Sequence, residues 1–261
     1  MNFKKLTLGF SLALIAATLS RVLQIIFLVE FTNGFYIMDK GLLGSLCLGF
    51  IGLVCVVLVF LVFKAEKITI TPPKTDKWLA IISVIVAVTL FKEILGENMP
   101  MIMPAWQVLL LKMVTMFTAV YFVVICLQGI LGFKMPPISH VTPIIYAIVK
   151  TIFTFINFSS LALISDNILL LAAYSSLMLL FISYGKLYNN IIEKNGAKKI
   201  LATAFTTAVI TITASVPNII INIFGKEPYL HTDIDILITL FALGVFIITF
   251  IYKAVDKKEH I

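Results

Sequence analysis

Arg21 is the only arginine in the chain, and it lies within the apolar run ATLSRVLQIIFLVEFTNGFY (17–36). Gln24 follows three residues later and Glu30 just beyond. A guanidinium keeps its charge at any physiological pH, and its planar fork matches a carboxylate or a phosphate in bidentate fashion. Lys92, Lys112 and Lys150 are likewise set in apolar runs. Each Arg or Lys at the centre of a membrane helix costs about 2.5–3.5 kcal/mol, so such residues face the bundle interior and find a partner there. Two chemistries are open to Arg21: an internal ion pair with Glu93, or recognition of an anionic group. Lys112 has the same second option, or it can snorkel outward along its stem.

Uncharged polar residues form two stripes. Thr203, Thr207, Thr211, Ser215, Asn218 and Asn222 recur at helical spacing and share one face, with Pro217 breaking the hydrogen-bond ladder among them. Tyr146, Lys150, Thr154 and Asn157 form a shorter one. Polar faces beside a proline suit a water-accessible cavity, where irregular backbone is tolerated. The same residues serve equally as packing between helices, bonding their own preceding carbonyls. Gly41, Ser45 and Gly49 read as a face of close helix contact.

Composition sets the elements that must position these groups. Hydrophobic residues make up 61% of the 261, charged residues 13%, and mean hydropathy is +1.09. Soluble domains have about half apolar and about a quarter charged residues. Here the excess is gathered into runs of about 20 residues, the length of a membrane-crossing helix. Eight spans are expected, at 5–29, 41–63, 78–96, 105–131, 143–164, 167–188, 200–223 and 233–252. The chain is expected to be an all-α integral membrane protein, one polytopic domain without a soluble catalytic unit. Only Ser165, Asp166 and Asn167 separate the fifth and sixth spans. Length forces a break there, because 143–188 is about two bilayer crossings. The positive, apolar N-terminus resembles a signal peptide, but apolar character resumes after Arg21 and an uncleaved first helix is expected.

Lysines orient the bundle. One set of loops carries Lys4, Lys5, Lys64, Lys67, Lys74, Lys77, Lys134, Lys186, Lys194, Lys198, Lys199, Lys253, Lys257 and Lys258, the other only Lys40 and Lys226. Both termini are therefore expected in the cytoplasm. The net charge of +7 follows from this bias and from contact with anionic lipids, not from nucleic-acid binding. Arg21 then falls about 12 Å below the outer end of its span and Lys112 about 10 Å below the end of the fourth. Lys92, Glu93, Asn157, Asn218 and Asn222 also lie in the outer half, and Asp166, Asp233 and Asp235 mark outer ends. Lys150 and Gln128 are the polar residues of the inner half.

Several chemistries lack their residues. His140, His231 and His260 are all placed in loops or the tail, which removes the ligands or base of a zincin, bis-His haem or Ser–His site within the spans. Cys47, Cys55 and Cys126 act as small apolar residues. No metal or other cofactor is expected. In EPYLHTDID (227–235), Thr232 or Asp233 reads as the cap of the last helix.

The function expected is binding or transport of a small solute through an outward-facing polar cavity. Arg21, Gln24, Glu93, Lys112, Asn157, Thr211, Ser215, Asn218 and Asn222 would contact a small anionic solute. A non-catalytic membrane subunit docking a protein partner at its cytoplasmic loops is the alternative. A lipid-modifying enzyme using Glu93, Asp166 or Asp233 is the third reading. Short loops and abundant Ile, Lys and Phe suit a bacterial plasma membrane.

Overall fold

The computed structural model describes residues 3–30, 36–37, 39–65, 68–72, 76–96, 104–133, 135–158, 164–189, 191, 195–224 and 233–255, and side chains at all of these except 157, 158, 164 and 165. They form eight α-helices: α1 (Phe3–Leu28), α2 (Gly41–Lys64), α3 (Lys77–Leu95), α4 (Ala105–Leu131), α5 (Thr142–Phe158), α6 (Ile164–Tyr188), α7 (Gly196–Ile223) and α8 (Ile234–Ala254). A short 3-10 helix, Pro137–Val141, leads into α5. Seven of these, and α5 together with the 3-10 helix (Pro137–Ile156), are long and apolar enough to cross a membrane, which supports a multi-pass membrane protein.

The helix bounds fall close to the expected spans, with two corrections. Ser165, Asp166 and Asn167 do not form the break between the fifth and sixth spans; they lie in the first turns of α6, and α5 stops at Phe158. Pro217 does not interrupt α7, which runs unbroken through it. Its missing N–H lies next to Asn218, whose side-chain amide donates to the Ala214 carbonyl at 3.2 Å and supports the ladder at this point.

Local chemistry explains the helix ends. The Asp76 carboxylate accepts from the amides of Trp78 (2.9 Å) and Leu79 (3.1 Å), capping α3. Gly132 closes α4 at φ 74°, a left-handed conformation that suits glycine. Asp233 caps α8 through the Asp235 amide at 3.1 Å, as the sequence suggests; Glu227, His231 and Thr232 lie outside the described residues.

Contacts run from α7 to α8, α3, α4, α5, α6 and back to α7, a closed ring of six helices. α1 and α2 pack together outside the ring against α7. This makes α7 the central helix: 72% of its apolar window is buried, against 17% for α2. Outward faces are apolar, as with Leu8, Leu12 and Leu19 of α1, while the inward face of the same helix holds Arg21 and Gln24. Such an inside-out distribution suits lipid as the outer solvent.

α7 and α8 meet most closely at Gly244, where an added Cβ would come within 2.7 Å of Ile212 Cγ1 and 2.9 Å of Thr211 Oγ1. Gly244→Ala is therefore expected to lower stability by about 1–3 kcal/mol, measured by thermal unfolding in detergent.

The two ends of the bundle differ. At the end holding the N-termini of α3 and α7 and the C-terminus of α8, Lys253 pairs with Asp76 at 2.7 Å and Lys198 Nζ donates to the Ala65 carbonyl at 2.6 Å. His140 is also here, and it is not a free loop residue: it is buried, with Nδ1 2.9 Å from the Tyr121 hydroxyl. Deeper inside the ring, Phe122 meets Phe246 edge-on at 5.2 Å and Phe181 at 6.3 Å, filling the middle with aromatic rings.

Burial raises the Asp76 carboxyl, but Lys253 and the two capped amides outweigh it and hold the group below its ordinary 3.8. A depressed folded value means that its contribution is complete above the ordinary value and is lost as pH falls through the folded one. Asp76→Ala should cost about 1 kcal/mol at neutral pH. Unfolding followed from pH 7 to pH 3 should show the gap from wild type closing toward the acid end.

Candidate functional site

The opposite end of the bundle collects the C-termini of α1, α3 and α7 with the N-termini of α2, α6 and α8. Among the described residues three ion pairs lie at this end, and two of them reach into the buried interior.

The first joins α1, α6 and α7. Arg21 is fully buried, and its guanidinium pairs with Asp166, not with Glu93. Its other terminal nitrogen donates to the Gln24 carbonyl oxygen. Asn218 Nδ2 donates to the same Asp166 oxygen at 3.3 Å. Gln24 Nε2 in turn reaches the Tyr36 hydroxyl (2.8 Å) and the Gly44 carbonyl on α2 (2.7 Å). Tyr36 can lie here because position 44 is glycine: an added Cβ would stand 2.2 Å from its ring. Arg21 Nε and Asn218 Oδ1 remain buried without a hydrogen-bond partner.

The second lies inside the six-helix ring. Lys150 of α5 pairs with Glu93 of α3, and both are buried. The lysine nitrogen sits over two tyrosine faces, Tyr146 at 5.8 Å and Tyr174 of α6 at 5.9 Å, which are perpendicular to each other. Cation–π attraction adds about 2 kcal/mol when such a contact is desolvated. Glu93 Oε2 and the hydroxyls of Tyr146 and Tyr174 are buried beside one another, the Tyr146 hydroxyl facing both of the others. Buried polar groups that lack good partners cost about 1–3 kcal/mol each, which makes this cluster the polar focus of the ring. The third pair, Lys92 with Asp235 of α8 at 2.8 Å, lies at the exposed rim.

These contacts revise the expected site. Arg21, Gln24, Asn218 and Glu93 are all buried at this end, but in two clusters and not in one. Lys150, expected in the inner half, pairs with Glu93, expected in the outer half: α5 is short, and the lysine stem spans the remaining distance. Lys112 is half-buried, without an ion-pair partner among the described residues, and joins neither cluster. Thr211 and Ser215 do not line a cavity. Thr211 donates to the Thr207 carbonyl (2.8 Å), Ser215 to that of Thr211 (2.7 Å), and both are fully buried on the packed face of α7. Thr207 of that stripe reaches another helix, as Asn218 does, donating to Ser176 O of α6 at 3.0 Å. Asn222 is half-buried near the end of α7, and the side chain of Asn157 lies outside the described residues. Tyr174 escaped sequence reasoning. Tyr146 and Lys150, four apart on one stripe, were the signal that could have located the second cluster.

Electrostatics follow from the pairing. Each buried cluster holds one cation and one anion, so neither carries excess positive charge to attract an anion. Among the described residues no three His, Cys, Asp or Glu side chains come together as metal ligands. Comparison with protein-family models, curated proteins and solved structures finds no match to this chain.

Proposed function

We propose that this chain is a plasma-membrane protein, of bacterial type, that binds and transports a small polar solute at the Glu93–Lys150 cluster. Both termini face the cytoplasm by the lysine bias, so the two buried pairs occupy the extracytoplasmic half. The observation that carries this reading is the grouping of buried polar atoms around one neutral ion pair: an acceptor on Glu93 and the hydroxyls of Tyr146 and Tyr174. An acceptor and two donors flanking a balanced pair suit a solute that is itself net neutral and carries both kinds of group, such as a zwitterion or a polyol. An anion would leave uncompensated charge in a low-dielectric ring. The solute class therefore moves from the anion suggested by Arg21 to a neutral polar molecule.

The experiment is thermal unfolding of the full chain in nanodiscs against glycine, glycine betaine and glycerol, with acetate and phosphate as anionic counterparts. Stabilisation by a net-neutral solute, growing with concentration, is expected. Stabilisation by the anions alone would sink the solute class, and no response to any of the five would count against the binding reading.

A membrane subunit is the second reading, and one observation favours it. On the Gly41–Ser45–Gly49 face of α2, expected to pack closely, added Cβ atoms at Gly41 and Gly49 would have nothing within 4 Å among the described residues. Small-residue faces of this kind let a partner helix approach. Co-purification of a stoichiometric membrane partner, lost in Gly49→Leu, would favour that reading.

A further inference from the structure

A groove of about 620 Å³ runs between α3 and α4 at the end of the bundle opposite the buried ion pairs. Its floor is made by small residues. Gly129 lets the helices approach so closely that an added Cβ would lie 3.0 Å from Ala80 Cβ and 3.3 Å from the Asp76 carbonyl. Its walls are Ile81, Val84 and Ile130, which are 52%, 42% and 62% exposed. Among the described residues Lys77 is the charged one lining it.

Three features of the groove name the occupant. The first is length: from Lys77 to Val84 the groove follows α3 for about 10 Å, within the roughly 15 Å that one leaflet contributes to the hydrocarbon core. The second is the placement of charge. Lys77 stands at the mouth, and the neighbouring Asp76 carboxylate is already taken by Lys253 at 2.7 Å. The third is Trp78, 65% exposed at the same level, where indole rings anchor helices among lipid headgroups. An apolar channel one leaflet deep, open sideways and headed by one cation, is complementary to a single acyl chain under an anionic headgroup.

We propose that the α3–α4 groove is a binding site for one anionic phospholipid, its acyl chain between Ile81, Val84 and Ile130 and its phosphate on Lys77. The proposal rests on membrane residence but not on the solute site. It places the lipid in the leaflet that the lysine bias assigns to the cytoplasm, where anionic lipids attract basic residues.

The test is native mass spectrometry of the full chain released from nanodiscs of equal phosphatidylglycerol and phosphatidylcholine with identical chains. Wild type should retain one phosphatidylglycerol with about a fivefold preference, the effect of one lysine at an anionic surface. Lys77→Gln should bring the two lipids to parity while a lipid is still retained. Val84→Trp, a lipid-facing change that fills the groove, should remove retention of both without altering thermal unfolding. Equal retention of the two lipids by wild type would overturn the proposal. So would an undiminished preference in Lys77→Gln, or undiminished retention in Val84→Trp.

Discussion

Glu93→Gln and Lys150→Met should each destabilise the protein by about 3–5 kcal/mol, while the double variant should unfold within about 1 kcal/mol of wild type. Removing one member of a buried pair strands its partner's charge inside the ring, whereas removing both takes away the desolvation penalty together with the attraction. Both residues are buried. The double variant keeps the stem packed against Tyr146 and Tyr174 and loses only the charge. Thermal unfolding of the four proteins in one detergent gives the cycle directly. Purely additive losses would mean that the two groups do not act as a pair.

The first cluster should respond asymmetrically. Asp166→Asn leaves Arg21 fully buried with a charge it cannot shed, and a loss of about 3–5 kcal/mol is expected. Arg21→Gln leaves Asp166, whose side chain is 15% exposed and still accepts from Asn218. The partly exposed carboxylate keeps a donor, so the loss should be smaller, about 1–3 kcal/mol. Unfolding of the two variants side by side checks the order. Equal losses, or a greater one for Arg21→Gln, would show that Asp166 is not what neutralises the guanidinium.

Much of the helical layout was legible in the sequence because hydropathy and length dictate it: the eight helices follow the apolar runs to within a few residues, apart from the end of α5. Burial of Arg21 was legible too, since the expense of a guanidinium in lipid leaves few other places for it. Its partner was not. Glu93, Asp166, Asp233 and Asp235 all mark the same end of their helices, and hydropathy says nothing about which helices adjoin. The contact of α1 with α7, and of α7 with α6, is what brings Asp166 rather than Glu93 to Arg21.

Polar stripes misled for a different reason. A threonine on a helix satisfies itself by donating to the carbonyl one turn back, as Thr211 and Ser215 do, so the stripe needs no water-filled cavity. Lys150 misled through its reach: its backbone is at mid-helix, but its charge is delivered toward the end where Glu93 lies. The small-residue face of α2 gave the right periodicity and no information on whether its partner lies within the chain.

The central claim is that the Glu93–Lys150 cluster receives the solute and does more than hold α3 to α5. The most direct measurement is the solute-dependent rise in unfolding temperature of the Glu93→Gln/Lys150→Met double variant, using whichever of glycine, glycine betaine or glycerol stabilises wild type. The account predicts a fold about as stable as wild type and no rise with the solute. A rise equal to that of wild type would contradict it and leave the pair with a structural role alone.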